Sequence, residues 1–411
     1  MQALSSIVQA FENSLKYQDG HALSVAFTQL SMLSKESLLQ AVSHFGFVDG
    51  IFSRLHSPFK DFFSIYVRYM TESHIQRPLQ LDDVFKHFTK NVYSAPWHSL
   101  LFGAVCSFVV RRALLLDGQL KANGKTPVQC GLVQTALNDF IRECLRRVQP
   151  GTESGLLAAA NAVLRMSFES GELHVCTTVI AQIEMHVGRT FNYTDFSKAD
   201  QVAYYFQLGK LKLRYHDFVT ADQYLSLSSQ LCTIENPHVK RTILSYQIVT
   251  RVVRGCLPSN ELLYKYRLAE RFIELIFYVK TGNYHEYIKV LDRHRSWFMK
   301  RCLYMIMKER VVLLMYRNLF QSSVKYFQQA YRDVFNIPLA IFIAAVQVSG
   351  LSGENAQADE VECVLVSLID QGYIFGYLDH RTLTVVLSKN KTLISNSHSN
   401  CIGVLCTSLQ I

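Results

Sequence analysis

The sequence predicts a mainly α chain, an irregular tetratricopeptide-like α-solenoid capped by a C-terminal winged helix with a β-hairpin. Three observations predict it. Apolar residues recur three and four positions apart through most of residues 1–350, the spacing that lines one face of a helix. The eight prolines, at 58, 78, 96, 127, 150, 237, 258 and 338, fall between those segments, where a residue without an amide donor can start or stop a helix. After residue 350 the pattern becomes one helical stripe followed by two short runs of aromatic and β-branched residues.

Four segments predict helical hairpins: YQDGHALSVAFTQL from Tyr17, SGELHVCTTVIAQI from Ser170, YHDFVTADQYLSLS from Tyr215 and TGNYHEYIKVL from Thr281. Each has a turn containing Gly or Asp and then an amphipathic stripe. In the third, Phe218, Ala221 and Leu225 form the stripe, and the small Ala221 lets the preceding helix come close. Gly171, Asp217 and Gly282 are 46 and then 65 residues apart, too uneven for a fixed-period repeat. Stacked helical pairs cannot bury their faces alone, so the last pair needs a cap.

Residues 311–332 and 337–348 are the expected first two helices of that cap, and 359–371 the third. Val361, Val364, Leu365 and Leu368 give the third helix one apolar stripe that Gly372 can end. Leu383, Val385 and Leu387 then alternate with Thr384, Val386 and Ser388, and Asp379–Thr382 is long enough to turn a hairpin. The expected layout is helical repeats over 1–195, a second helical part over 196–310, the winged helix over 311–391 and a Ser- and Asn-rich tail over 392–411.

Hydrophobic residues make up 49% of the chain and charged residues 18%, which excludes a disordered protein. Ten scattered cysteines without a CxxC pair read as reduced, buried thiols. The start lacks the pattern of a signal peptide. The apolar runs around 100–110 and 339–346 are shorter than the roughly 20 residues that span a bilayer. GQLKANGKTP, Gly118 to Pro127, has five residues between its first two glycines, one too many for a phosphate-binding P-loop, and a proline where helix amides should point. No HExxH, GxSxG or GxGxxG occurs, and His285–Glu286 lacks a second histidine at ligand spacing. No cofactor is expected.

Charge is uneven. Residues 238–332 carry 18 Lys and Arg against 6 Asp and Glu, a field that suits nucleic-acid phosphates or an acidic protein. Arg293, Arg295, Lys300, Arg301, Lys308, Arg310 and Arg317 crowd into 25 residues. On one straight helix over 297–320 they would not share a face, so either the helix breaks or they serve different partners, some pairing with Glu309 or Asp292. The helix at 359–371 carries Asp359, Glu360, Glu362 and Asp370 and no cation, the wrong sign for reading a DNA groove. It suits protein docking, with Arg381, Lys389 and Lys391 left to touch a nucleic-acid backbone.

Helical repeats ending in such a module resemble the PCI architecture shared by subunits of the proteasome lid, the signalosome and a translation initiation factor. The chain resembles the PCI-domain-containing protein 2 family. The resemblance covers most of residues 95–390. It rests on QVAYYFQLGKLKLRYHDFVTADQYLSLSSQLC, VKRTILSYQIVTRVVRGCLPSNELLYKYRL, TGNYHEYIKVLDRH with YRNLF after it, and DEVECVLVSLIDQGYIFGYLDHRTLTVVLSK. Residues 1–90 and the tail depart from the family pattern.

The resemblance implies a non-enzymatic subunit of a nuclear complex that couples transcription to messenger RNA export at the nuclear pore, with some cytoplasmic pool. The implied partners are a larger PCI scaffold of the germinal-centre-associated type, a small acidic disordered subunit of the Sem type, and RNA or DNA held by nonspecific backbone contacts. On that basis Arg293, Arg295, Lys300, Arg301, Lys308, Arg310, Arg381, Lys389 and Lys391 are candidates for nucleic acid. Lys240, Arg241, Arg251, Arg254 and Arg271 are candidates for the acidic partner. The rival is a signalosome-like or lid-like subunit without a nucleic-acid role.

Overall fold

Apolar stripes at helical spacing become helices whose ends are set by a recurring device. A residue in the left-handed region closes one helix, and a short polar residue beside it caps the next. Gln18 (φ +54°), Gly171 (+85°), His216 (+60°) and Gly282 (+77°) occupy the first role at the four expected hairpins. Asp19, Asp217 and Asn283 accept hydrogen bonds from the amides that open the following helices, satisfying donors that have no partner inside a helix.

The structure is a computed structural model that describes residues 2–45, 48–71, 80–146, 155–233, 236–331, 335–351 and 358–388. The chain divides into two units, Met1–Leu211 and Lys212–Ile411. The first holds α1 (Gln2–Tyr17), α2 (Gly20–Met32), α3 (Lys35–Phe45), α4 (Val48–Ile51), α5 (Phe59–Thr71), α6 (Leu81–His87), α7 (Ser99–Ala122), α8 (Gln129–Arg146), α9 (Leu156–Ser170), α10 (Leu173–Glu184) and most of α11 (Lys198–Arg214). With the 3-10 turn before it, α7 is long and apolar enough to cross a membrane by length and composition alone, contrary to the run lengths read from sequence. Its Leu101, Phe102, Val105, Val109 and Ala113 are instead fully buried, and it packs against α2, α8 and α9 as a core helix.

The loop that looked like a phosphate-binding motif has a protein carboxylate at its helix. Buried Asp117 accepts from the amides of Val128 (3.1 Å), Gln129 (3.0 Å) and Cys130 (2.8 Å), the start of α8. Burial pushes this carboxyl up, but the hydrogen bonds from Cys130, Gln129 and Val128 outweigh it and hold the group below its ordinary value.

The second unit holds α12 (Phe218–Leu231), α13 (Pro237–Val253), α14 (Asn260–Lys265), α15 (Ala269–Thr281), α16 (Tyr284–Arg293), α17 (Arg295–Lys300), α18 (Tyr304–Ala330), β1 (Asn336–Pro338), α19 (Leu339–Ser349), α20 (Ala358–Asp370), β2 (Gly376–Asp379) and β3 (Thr384–Leu387). The 27-residue α18 is the shared spine, packing against α13, α15 and α16 and against α19 and α20. Gly282 lies close against α18: a Cβ there would stand 2.7 Å from Leu319 Cβ, so a side chain is barred by space as well as by backbone angle.

The fold is the expected helical solenoid with a winged helix. Phe320, Ile337, Phe342, Leu365 and Val385 lie in one buried cluster drawn from α18, α19, α20 and the sheet, each such side chain contributing about 1.5–3 kcal/mol by leaving water. Three details differ from the sequence reading. The first winged-helix helix begins at Tyr304 rather than 311. Residues 336–338 form an edge strand, and the sheet order is β1-β3-β2, all antiparallel; Pro338, which cannot donate to a ladder, is tolerated at such an edge. Leu383 sits in the turn at φ +50° and is exposed, so the buried face of β3 is Val385 and Leu387 alone. Among the described cysteines none is paired, but Cys302 and Cys363 are exposed rather than buried.

Candidate polyanion-binding surface

Two helix ends that lack glycine shape the basic surface of the second unit. At the end of α14, Leu268 N–H donates to Leu263 O (2.8 Å) and Arg267 N–H to Tyr264 O (3.1 Å), with Arg267 at φ +54°. At the end of α17, Leu303 N–H donates to Phe298 O and Cys302 N–H to Met299 O (both 2.9 Å), with Cys302 at φ +56°. Each is the paired closure that usually centres on glycine. Leu268 and Leu303 are fully buried and anchor both corners. The second corner is a break in the basic segment, one of the two alternatives that its charge geometry left open.

The break brings Arg301 back over its own helix. Its guanidinium lies 4.0 Å from the centre of the Trp297 ring and donates to Trp297 O at 3.2 Å. Burial pulls the Arg301 guanidinium below its ordinary value; Tyr246 opposes this, while Arg241 from α13 and Arg271 from α15 add to it as like charges. Arg241 donates to Arg267 O at 2.8 Å, which ties the start of α13 to the α14–α15 corner. Among the described residues neither Arg241 nor Arg301 forms an ion pair. Among the described residues Arg271 pairs with Glu270 alone, at 3.5 Å, and that carboxylate is three-quarters exposed, at 75%, so it screens little.

Buried His294, which joins α16 to α17, completes the arrangement. Arg271 Nη1 donates to its Nδ1; since arginine has no acceptor, that nitrogen must be unprotonated. Burial lowers the His294 pKa, Arg271 and Arg293 lower it further, and Glu270 and Glu274 oppose. The ring therefore adds no charge to the cluster near neutrality and orients Arg271.

Arg241 and Arg271 had been separated by sequence from Arg301 as belonging to different partners; the structure brings the three together. It treats Arg251 and Arg254 differently. Arg251 Nε and Arg254 Nη1 each donate to Asp222 at 2.7 Å, and Arg251 also reaches Ser226. Lys240 donates to the carbonyls of Ser229 and Cys232 at the end of α12, a capping role. Arg293 pairs with Glu274 at 3.0 Å, both exposed. Arg295 lies 5.3 Å from the Tyr304 ring, and it is Tyr304 that engages Asp292, not a cation. Lys300, Lys308 and Arg310 are exposed without an ion pair among the described residues. Arg381 is exposed in the hairpin turn. Lys389 and Lys391 lie outside the described residues.

Sequence reasoning missed Arg267 as a member of this surface. The signal was present in the alternation Tyr264–Lys265–Tyr266–Arg267, but nothing local showed that the segment was a corner rather than more helix.

Residues 291–389 match the family model of the PCI domain. The chain is 29% identical over 276 residues to PCI domain-containing protein 2 of Danio rerio, covering 66% of each protein. It is 30% identical over 273 residues to a PCI domain-containing protein 2 homolog of Caenorhabditis briggsae, covering 64% of this chain and 63% of that one. A PCI domain-containing protein of Schizosaccharomyces pombe is 27% identical over 260 residues, 63% of this chain and 58% of the relative. The match thus spans three-fifths to two-thirds of these relatives' length.

Proposed function

For a chain that carries a PCI domain and is similar to PCI domain-containing protein 2, we propose a non-enzymatic scaffold role in a nuclear, transcription-coupled messenger RNA export assembly. In this reading the winged helix docks a larger PCI scaffold subunit of the germinal-centre-associated type, and a small acidic disordered subunit of the Sem type joins the complex. The arginine surface of the second unit receives nucleic acid. One observation carries the last step. Arg241 and Arg271 both bear on Arg301, and among the described residues the one carboxylate paired with any of the three is the exposed Glu270; like charges held together with so little counter-charge favour an external anion.

Titration of a single-stranded oligonucleotide at several salt concentrations tests it. Replacing Arg241, Arg271 and Arg301 together by Gln should lower the logarithmic salt slope by about 2, since each phosphate contact to a single strand contributes roughly 0.7. An unchanged slope refutes the nucleic-acid step. Purification from nuclear extract addresses the assembly: recovery of proteasome-lid or signalosome subunits in place of a larger PCI scaffold and a small acidic chain would establish the rival reading.

A further inference from the structure

We infer that the corner Tyr264–Arg267 is a stacking platform that makes this surface selective for single-stranded nucleic acid. The inference rests on the polyanion reading above and specifies its ligand. Tyr264, at the end of α14, is 67% exposed, a large ring left in water. The backbone that carries it is held: the Tyr264 carbonyl accepts from Arg267 N–H, and Arg267 O accepts in turn from Arg241 Nη2. One hydrogen-bonded chain therefore joins the main chain beneath an exposed aromatic residue to Arg241 of the arginine cluster. Lys265 and Arg267, both exposed, follow Tyr264 by one and three positions, and Lys265 lies close enough to Lys240 for the two charges to interact.

Arg267 is the second observation. The left-handed position that ends α14 favours glycine, yet an exposed arginine occupies it, with no ion pair among the described residues. A non-glycine residue in that region is disfavoured for folding, and the side chain gains nothing visible within the protein to offset it. Its placement beside Tyr264 and Arg241 has a use if phosphates pass there. The acids nearest in sequence are Glu261 and Glu270, both exposed and on the flanking helices, too few to reverse the sign of the corner. Exposed aromatic rings interleaved with cations bind single strands because each base offers a π-face while its phosphate meets a charge. A duplex keeps its bases stacked on one another and cannot use the ring.

The full chain should be titrated with a 15-mer of uridine, an abasic 15-mer of equal charge, and a duplex of the same length. The uridine oligomer should bind roughly tenfold more tightly than the abasic one. Tyr264→Ala should erase that difference while leaving abasic binding and its salt slope intact, and Tyr264→Phe should preserve it. Arg267→Gly should weaken both oligomers about equally with a melting temperature unchanged or raised, because glycine suits the left-handed position. Equal binding of uridine and abasic oligomers by the unaltered protein overturns the platform while leaving the polyanion reading intact. So does a duplex bound as tightly as the single strand, or polyglutamate bound with the same dependence on Tyr264. Absence of measurable binding to any oligomer at low salt removes both inferences at once.

Discussion

The two ends of α13 carry the same residue type in opposite circumstances. At its far end Arg251 and Arg254 grip one carboxylate, Asp222, whose side chain is 16% exposed while theirs are 19% and 22%. Near its start Arg241 acts with Arg271 as a like charge on Arg301, and among the described residues neither Arg241 nor Arg301 has an ion pair. The first arrangement holds α12 to α13 and leaves little field outside; the second leaves its field unbalanced. Availability of a cation to a partner is thus decided by the nearest acid, not by the local count of lysines and arginines.

Removing the acid should have the largest effect. Asp222→Ala leaves two largely buried guanidiniums without a counter-ion, and urea unfolding should show a loss of about 3 kcal/mol, the scale of breaking a buried pair from one side. A loss below about 1 kcal/mol would show that the two ends of the helix are energetically alike and would break the contrast. At the other end, replacing Arg241, Arg271 and Arg301 by Gln should leave unfolding stability within about 1 kcal/mol of the parent. Relief of repulsion there opposes the loss of the Arg301–Trp297 contact, itself worth about 0.5–1 kcal/mol. A collapse of stability in that variant would mean that these arginines are structural.

The smallest effect is one of pH. His294 has a lowered pKa in the folded protein, so below the ordinary imidazole range near 6.5 the unfolded chain takes up a proton that the folded one refuses. Its contribution is complete above that range and is lost as pH falls toward the folded value. His294→Gln should therefore flatten the decline in stability between neutral and mildly acid pH, measured by unfolding midpoints. An identical decline in both proteins would remove His294 from the cluster. The groups that set its pKa are Arg271, Arg293, Glu270 and Glu274, and His87 and His98, also lowered by burial, contribute to the decline in either protein.

Much of the architecture was legible because it depends on near neighbours. Periodicity located the hairpin helices after Asp19, Gly171, Asp217 and Asn283, and the stripe Val361, Leu365 and Leu368 is the buried face of α20. The misses occur where a local signal is missing. Cys302 and Arg267 end helices in positions that glycine usually marks, so the break after α17 and the corner after α14 were hidden. Strand β1 is three residues long and contains Pro338; it exists because Ile337 pairs opposite Val385, 48 positions along the chain. Leu383 fits the alternation of β3 but is turned out by its backbone angle.

The amino-acid order alone determined that this protein is a stack of helices closed by a winged helix and that its second half carries excess positive charge. Helix formation and net charge are sums over residues close in the chain, so a linear reading captures them. Only the tertiary structure decided that Arg251 and Arg254 meet Asp222 while Arg241 and Arg271 converge on Arg301. Electrostatic energy falls with separation in space, and residues 222 and 251, or 241 and 301, become neighbours only once the helices between them have packed.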